Sequence, residues 1–214
     1  RFEFCTGARY DDFWDIRLVD EVPGTSKDNV DGATPSKYLT WQNILAGLLD
    51  YNIKDLPLAK HYGELRQTME AAKERNGEFN FLFDFYAKVC DMLEIKSEIG
   101  LHITDAYQAG DKEKLKEFTV QTLPELYTRM KALRDAHVEL WFDTYKPFGW
   151  EVFDHRYGAQ LGGIEVAIKR INDYLNGKIE RIDELEEKRL PYHGKEGLVF
   201  SRGYSKIASA SAAR

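Results

Sequence analysis

The sequence predicts an all-α fold: an antiparallel bundle of long helices with a loop-rich N-terminal part and an irregular C-terminal tail. Three observations lead there. Apolar residues return at alternating steps of three and four, the spacing that gathers one face of an α-helix. Leu58, Tyr62, Leu65, Met69 and Ala72 form one such stripe, and Leu161, Ile164, Ile168, Ile171 and Leu175 another. Asn76-Gly77, Gly110 and Asn176-Gly177 fall where helices would stop, since Gly and Asn accept the left-handed backbone of a C-terminal cap. The only strand-like run is Leu198-Val199-Phe200.

Taken in order, Arg1 to Thr6 reads as the last turn of a helix stopped by Gly7, and with no initiator Met the chain reads as a piece of a longer protein. Tyr10 to Ile16 can form a short aromatic helix carrying Phe13 and Trp14. Residues 20–36 are rich in Asp, Gly, Ser, Thr and Pro with no apolar period, a long loop of the kind that is usually functional. Pro35-Ser36-Lys37-Tyr38 leads into an apolar segment, Leu39 to Leu49, with Trp41 inside it. After the Leu58 stripe, a helix from Phe79 to Ala109 is expected to bury Leu82, Tyr86, Val89 and Leu93, with Ile99, Ile103 and Ala106 continuing the side. Asp111 is a good N-cap for a third long helix, Lys112 to Tyr145, in which Pro124 predicts a kink near Thr122 because it removes an internal hydrogen bond. There Leu126, Met130, Leu133, His137 and Leu140 keep the period. A fourth long helix is expected soon after Asp154, then a short charged one from Asp183 to Arg189. The organisation is a loop-rich segment over 1–53, a helical bundle over 54–190 and a tail over 191–214.

Composition narrows the function. With 214 residues, 43% hydrophobic and 13% aromatic, the chain can bury a sizeable core. Its net charge of −6, with bases interspersed among acids, argues against nucleic acid as a partner. No apolar run approaches the roughly 20 residues of a membrane span. Cys5 and Cys90 lie far apart, which indicates no disulfide framework and favours a reducing, cytoplasmic setting. His61, His102, His137, His155 and His193 show no metal-ligand spacing, and no phosphate-cradling loop appears, so neither metal nor cofactor is expected. His137 sits on an apolar stripe and reads as a core residue. Gly158-Ala159-Gln160-Leu161-Gly162-Gly163 follows no strand and is discounted as a dinucleotide fingerprint.

The candidate chemistry is sparse. Asp20-Glu21 and Asp183-Glu184 are adjacent carboxylates, but nothing around them in sequence would raise a pKa as acid catalysis requires, so no catalytic residue is assigned. The stretch Lys146-Pro147-Phe148-Gly149-Trp150-Glu151-Val152-Phe153-Asp154-His155-Arg156-Tyr157-Gly158 is more informative. It reads as a connection, yet its aromatics and embedded Asp-x-Arg pair exceed what a turn needs. It is either a structural plug or one wall of a pocket. Tyr38, Trp41, Trp150 and Arg156 are the candidate pocket-lining residues, with Asp154 holding Arg156 as structural support; flat aromatic faces stack on sugar rings. The competing possibility buries all four as inter-helix packing.

A further set of residues carries a resemblance. Pro35-Ser36-Lys37-Tyr38-Leu39 with Gly47-Leu48-Leu49-Asp50, then Ala106-Tyr107-Gln108-Ala109-Gly110-Asp111, stand in that order. Lys146-Pro147-Phe148-Gly149-Trp150-Glu151-Val152 with Asp154-x-Arg156-x-Gly158, and finally Tyr174-Leu175-Asn176-Gly177, complete the set. Together they resemble the C-terminal region of a subgroup of glycoside hydrolase family 20, bacterial exo-β-N-acetylhexosaminidases with a mostly helical C-terminal domain. The resemblance runs to about Leu190, with Trp150 where the pattern has Phe and Ala159 where it has a second Gly. It implies a missing catalytic barrel, which needs ~200 residues or more of alternating strands and helices. In such barrels an adjacent Asp-Glu pair works with the substrate's own acetamido group, a departure from the two-carboxylate scheme. The implied partners are that barrel, a glycan with a terminal N-acetylhexosamine, and a second copy in a homodimer. The alternative is a stand-alone helical interaction module with no glycan role.

Overall fold

The structure is a computed structural model and describes residues 1–23 and 35–194. Most of the expected polar loop, the run Leu198-Val199-Phe200 and the rest of the tail beyond residue 194 lie outside the described residues. Within them every regular element is helical. In chain order these are α1 (Phe2–Thr6), α2 (Tyr10–Asp15) with a 3-10 turn (Ile16–Val19), α3 (Pro35–Trp41), α4 (Asp50–Ile53) and α5 (Leu58–Arg75). There follow α6 (Asn80–Gln108), α7 (Lys112–Glu117), a π turn (Phe118–Thr122), α8 (Leu123–Thr144), α9 (Trp150–Leu175) and α10 (Asp183–Glu186).

The long helix α6 is the axis of the molecule, with α5, α8, α3, α7 and α10 packed around it. Short connections make α5, α6 and the pair α8–α9 successive hairpins. The α5 stripe is buried along its whole length, as the period predicts. On α6 the period is right but the face is rotated. Phe83, Ala87 and Cys90 join Leu93 in the deep line, whereas Leu82, Tyr86 and Val89 are only half-buried. A helix covered on several sides has no single apolar stripe, and here even Lys96 and Ser97 are buried.

The stops follow from local chemistry. Gly7 takes the left-handed backbone at φ 66° and its N–H returns to the Glu3 carbonyl. Asp111 caps α7 by accepting from the Lys114 N–H at 2.9 Å. The irregularity expected near Thr122 is the π turn, with Pro124 placed in the first turn of α8, where a missing N–H costs least.

Three boundaries differ from expectation. The apolar segment Leu39 to Leu49 is not one element: α3 ends at Trp41, and the Asn43 side chain then accepts from the N–H groups of Leu45 and Ala46, closing a turn that a left-handed Gly47 completes. The charged helix near the C-terminus is one turn, Asp183–Glu186. The fourth long helix starts at Trp150, not after Asp154, so the aromatic connection is mostly the first two turns of α9. Gly149, at φ 99°, completes the turn and its N–H is taken by Glu151 Oε2 at 2.8 Å. One core runs through all of this: Val19, Val22, Tyr38 and Leu39 pack with the buried faces of α5 to α9, across residue 53.

Candidate functional site

A cavity of about 470 Å³ opens between the 3-10 turn after α2, α3, α6 and the facing ends of α8 and α9. Each wall is placed by a specific anchor. The turn after α2 is tied to α5 by His61, whose Nε2 lies 2.9 Å from the Leu18 carbonyl, and by Tyr62, whose hydroxyl donates to Val19 O at 3.2 Å. Asp20 then reaches the start of α3, accepting from the Ser36 N–H at 3.1 Å and the Ser36 hydroxyl at 2.7 Å. On the far side Gln160 of α9 donates to the Trp41 carbonyl at 2.8 Å and fixes the end of α3. The floor is apolar, built from Val19, Phe85, Val89, Leu133 and Phe153.

Of the residues chosen from sequence, Trp41 and Arg156 line this cavity together, with the Arg156 guanidinium 5.8 Å from the centre of the Trp41 ring. Tyr38 and Trp150 do not line it; they are 2% and 6% exposed and belong to the core behind it. The physical reason is helix phase: α3 carries Tyr38 and Trp41, and α9 carries Trp150 and Arg156, and in each helix the first of the two is turned into the core while the second reaches the cavity. Trp150 packs against His137, Phe153 and Tyr157. Asp154 serves that cluster: its Oδ1 accepts from Trp150 Nε1 at 2.9 Å and lies 3.5 Å from Arg134. Residues two apart on a helix point to different sides, which turns Arg156 toward Trp41 instead.

The cavity also gathers residues that the sequence did not single out as pocket. His137 lines it, with Nδ1 3.0 Å from the Tyr157 hydroxyl, and burial holds its imidazole down at about 4, so the ring is neutral near pH 7. The same burial pushes the Tyr157 hydroxyl above its ordinary range. Asp20, read from sequence as an unperturbed acid, is raised by burial, only partly offset by Ser36. Arg17 and Lys37 complete a basic rim. For His137 the sequence signal is an ionisable ring on the α8 apolar stripe, a position that by itself favours core.

Among the described residues the lining holds one carboxylate, Asp20, and it is occupied as a cap. One carboxylate among the described lining residues is not the pair that two-carboxylate hydrolysis uses. The other acidic pair is committed elsewhere: Glu184 takes a forked contact from Arg170 at 3.1 and 2.6 Å, which pulls its carboxyl below the usual range, and Asp183 pairs with Arg181 at 2.7 Å. Among the described residues no helix is long and apolar enough to cross a membrane, and no group of three His, Cys, Asp or Glu could hold a metal ion.

These features describe a helical domain with a basic-rimmed cavity whose described lining holds a single carboxylate, Asp20. Residues 11–202 match the family model described as the Glycoside Hydrolase 20C C-terminal domain. The chain belongs to that family, and as a C-terminal domain it is associated with a catalytic domain in the parent protein. A comparison with curated proteins gives no match.

Proposed function

We propose that this domain completes a β-N-acetylhexosaminidase that removes terminal N-acetylhexosamine from glycans. In this reading the catalytic barrel supplies the substrate-assisted chemistry, and the helical domain presents the cavity of Trp41, Arg156 and His137 beside the sugar site. The single observation that carries it is the family match over residues 11–202, which spans both the bundle and the cavity. The cavity's character agrees with it. A neutral imidazole, an indole edge and a guanidinium beside an apolar floor suit a sugar's hydroxyls and apolar face. Tyr38, Trp150 and Asp154 brace this wall from behind.

The test is kinetic and uses the full-length enzyme. Trp41→Ala and Arg156→Ala are expected to raise KM for chromogenic N-acetylglucosaminide and N-acetylgalactosaminide several-fold, with kcat changed less. Unaltered kinetics in both variants would detach the cavity from the sugar site. The isolated chain is expected to show no turnover, and activity abolished by changing Asp183 or Glu184 would overturn the assignment of catalysis to the barrel. The same reading makes the enzyme cytoplasmic, which two free thiols support, and dimeric, which exposed Phe142, Tyr145 and Phe148 support. Light scattering that gives a monomer at high concentration would remove the dimer.

A further inference from the structure

We propose that the exposed aromatic surface of α1 and α2, which carries Phe2, Phe4, Tyr10 and Trp14, is the seat of the parent enzyme's catalytic domain. The inference rests on membership of the C-terminal-domain family and extends it to a specific surface. Phe4 is 94% exposed, Trp14 57% and Tyr10 53%, and α1 has no buried residue. Phe2 touches Tyr10, and Trp14 follows Tyr10 one turn along α2, so exposed aromatic side chains stand close together in the manner that marks an interaction site.

The face is built, not frayed. An aromatic ladder leads out of the core: the wholly buried Phe83 meets Phe13 at 5.1 Å between ring centres, Phe13 meets Phe2 at 5.5 Å, and Phe2 meets Tyr10 at 5.5 Å. Edge-to-face contacts of this kind hold rings in fixed orientations. Underneath, Asp12 locks α2 onto the end of α5, accepting from Arg75 at 2.7 and 3.2 Å and from Asn76 at 2.8 Å. Asn76 also accepts from the Arg9 N–H at 2.7 Å. Arg17 covers the Trp14 ring at 4.7 Å, giving the patch a charged margin.

Position identifies the occupant. The family match begins at residue 11, so Phe2, Phe4 and Tyr10 lie on the N-terminal side of the matched domain, where the catalytic part of the parent must be joined. A second aromatic patch, Phe142, Tyr145 and Phe148 at the junction of α8 and α9, has no such continuity with it.

Radical footprinting of the intact wild-type enzyme tests the proposal without any substitution. Phe4, Tyr10 and Trp14 are expected to label several-fold more slowly than the same residues in the unfolded enzyme, at every protein concentration. Free labelling of Phe4 and Trp14 would overturn it. Protection that disappears on dilution would also overturn it, because the occupant would then be a second copy. In the full-length enzyme the double variant Phe4→Asp, Trp14→Asp is expected to split one thermal transition into two, and an unchanged single transition counts against the seat. The readouts are physical rather than kinetic, so failure here is distinguishable from failure of the cavity as a sugar-site wall.

Discussion

Arg156 and Trp150 lie in the first two turns of the same helix, yet they do different work. Trp150 is buried among His137, Phe153 and Tyr157, with its indole N–H satisfied by Asp154. Its truncation to Ala leaves a large hole, and a loss of about 3–5 kcal/mol is expected in urea unfolding of the chain. Arg156 is half-buried at the cavity and rests on Trp41, a contact worth about 1 kcal/mol or less. Arg156→Ala should therefore leave the unfolding midpoint nearly unchanged, and equal losses in the two variants would mean that both are core. At this scale the sequence identified which aromatics matter but not which way they face. Trp41, Tyr38 and Trp150 are all amphipathic rings near element ends, and only the helix phase separates a cavity wall from core packing. That phase depends on where α3 and α9 begin, which one residue of error is enough to misplace.

Element starts are decided by backbone geometry that side-chain periodicity does not report. Pro147-Phe148-Gly149 looks like the opening of a long aromatic connection, but Gly149 at φ 99° reverses the chain in one step and α9 follows at once. An Ala there is strained by its backbone, at about 1–2 kcal/mol, and its methyl group would also meet the Trp141 ring at 3.4 Å. Gly158, inside α9 with open space around it, is the opposite case. Gly158→Ala should stabilise by about 0.5–1 kcal/mol, since helical Gly only costs entropy. Thermal or urea midpoints of the two variants should move in opposite directions, and a shift of the same sign in both would contradict the helix start at Trp150. The stripe of α5 was legible because it packs mainly on one neighbour, α6, whereas on α9 Ile164 and Ile171 are buried but Leu161, Ile168 and Leu175 are half-buried at the edge of the core. The stripe of α6 was legible in period but not in face, because neighbours surround it.

The whole molecule is closed by a buried polar cluster that no sequence pattern announces. Asp50, wholly buried, accepts from Gln42 at 3.2 Å and from Arg189 at 3.2 Å, a residue 139 positions later. Arg189 also donates to the Leu45 and Glu184 carbonyls, pinning the segment after α10 to the turn after α3. From the central helix, Lys96 donates to the carbonyls of Leu39 at 3.0 Å and Gln42 at 2.6 Å, which satisfies the end of α3. Hydropathy counts Lys and Arg as surface, so their use as internal struts between distant segments stays hidden until the chain is folded. Burial, offset in part by Asp50, brings the Lys96 ammonium down from 10.5 to about 7. The folded chain then binds fewer protons than the unfolded one between those two values, so stability must rise with pH across that window, by at most about 1.4 kcal/mol per pH unit. Cys90, raised by burial from 9.0 to about 12, acts in the opposite sense at higher pH: the unfolded thiol ionises first, and stability falls as pH climbs past 9. The Lys96 contribution is therefore isolated between pH 7 and 9. Urea midpoints of the wild-type chain should climb over that interval, and Lys96→Met should flatten the climb whatever it does to the midpoint itself. A slope that survives in Lys96→Met would place the titrating group elsewhere, and a flat wild-type profile would mean that Lys96 keeps its proton inside the folded core.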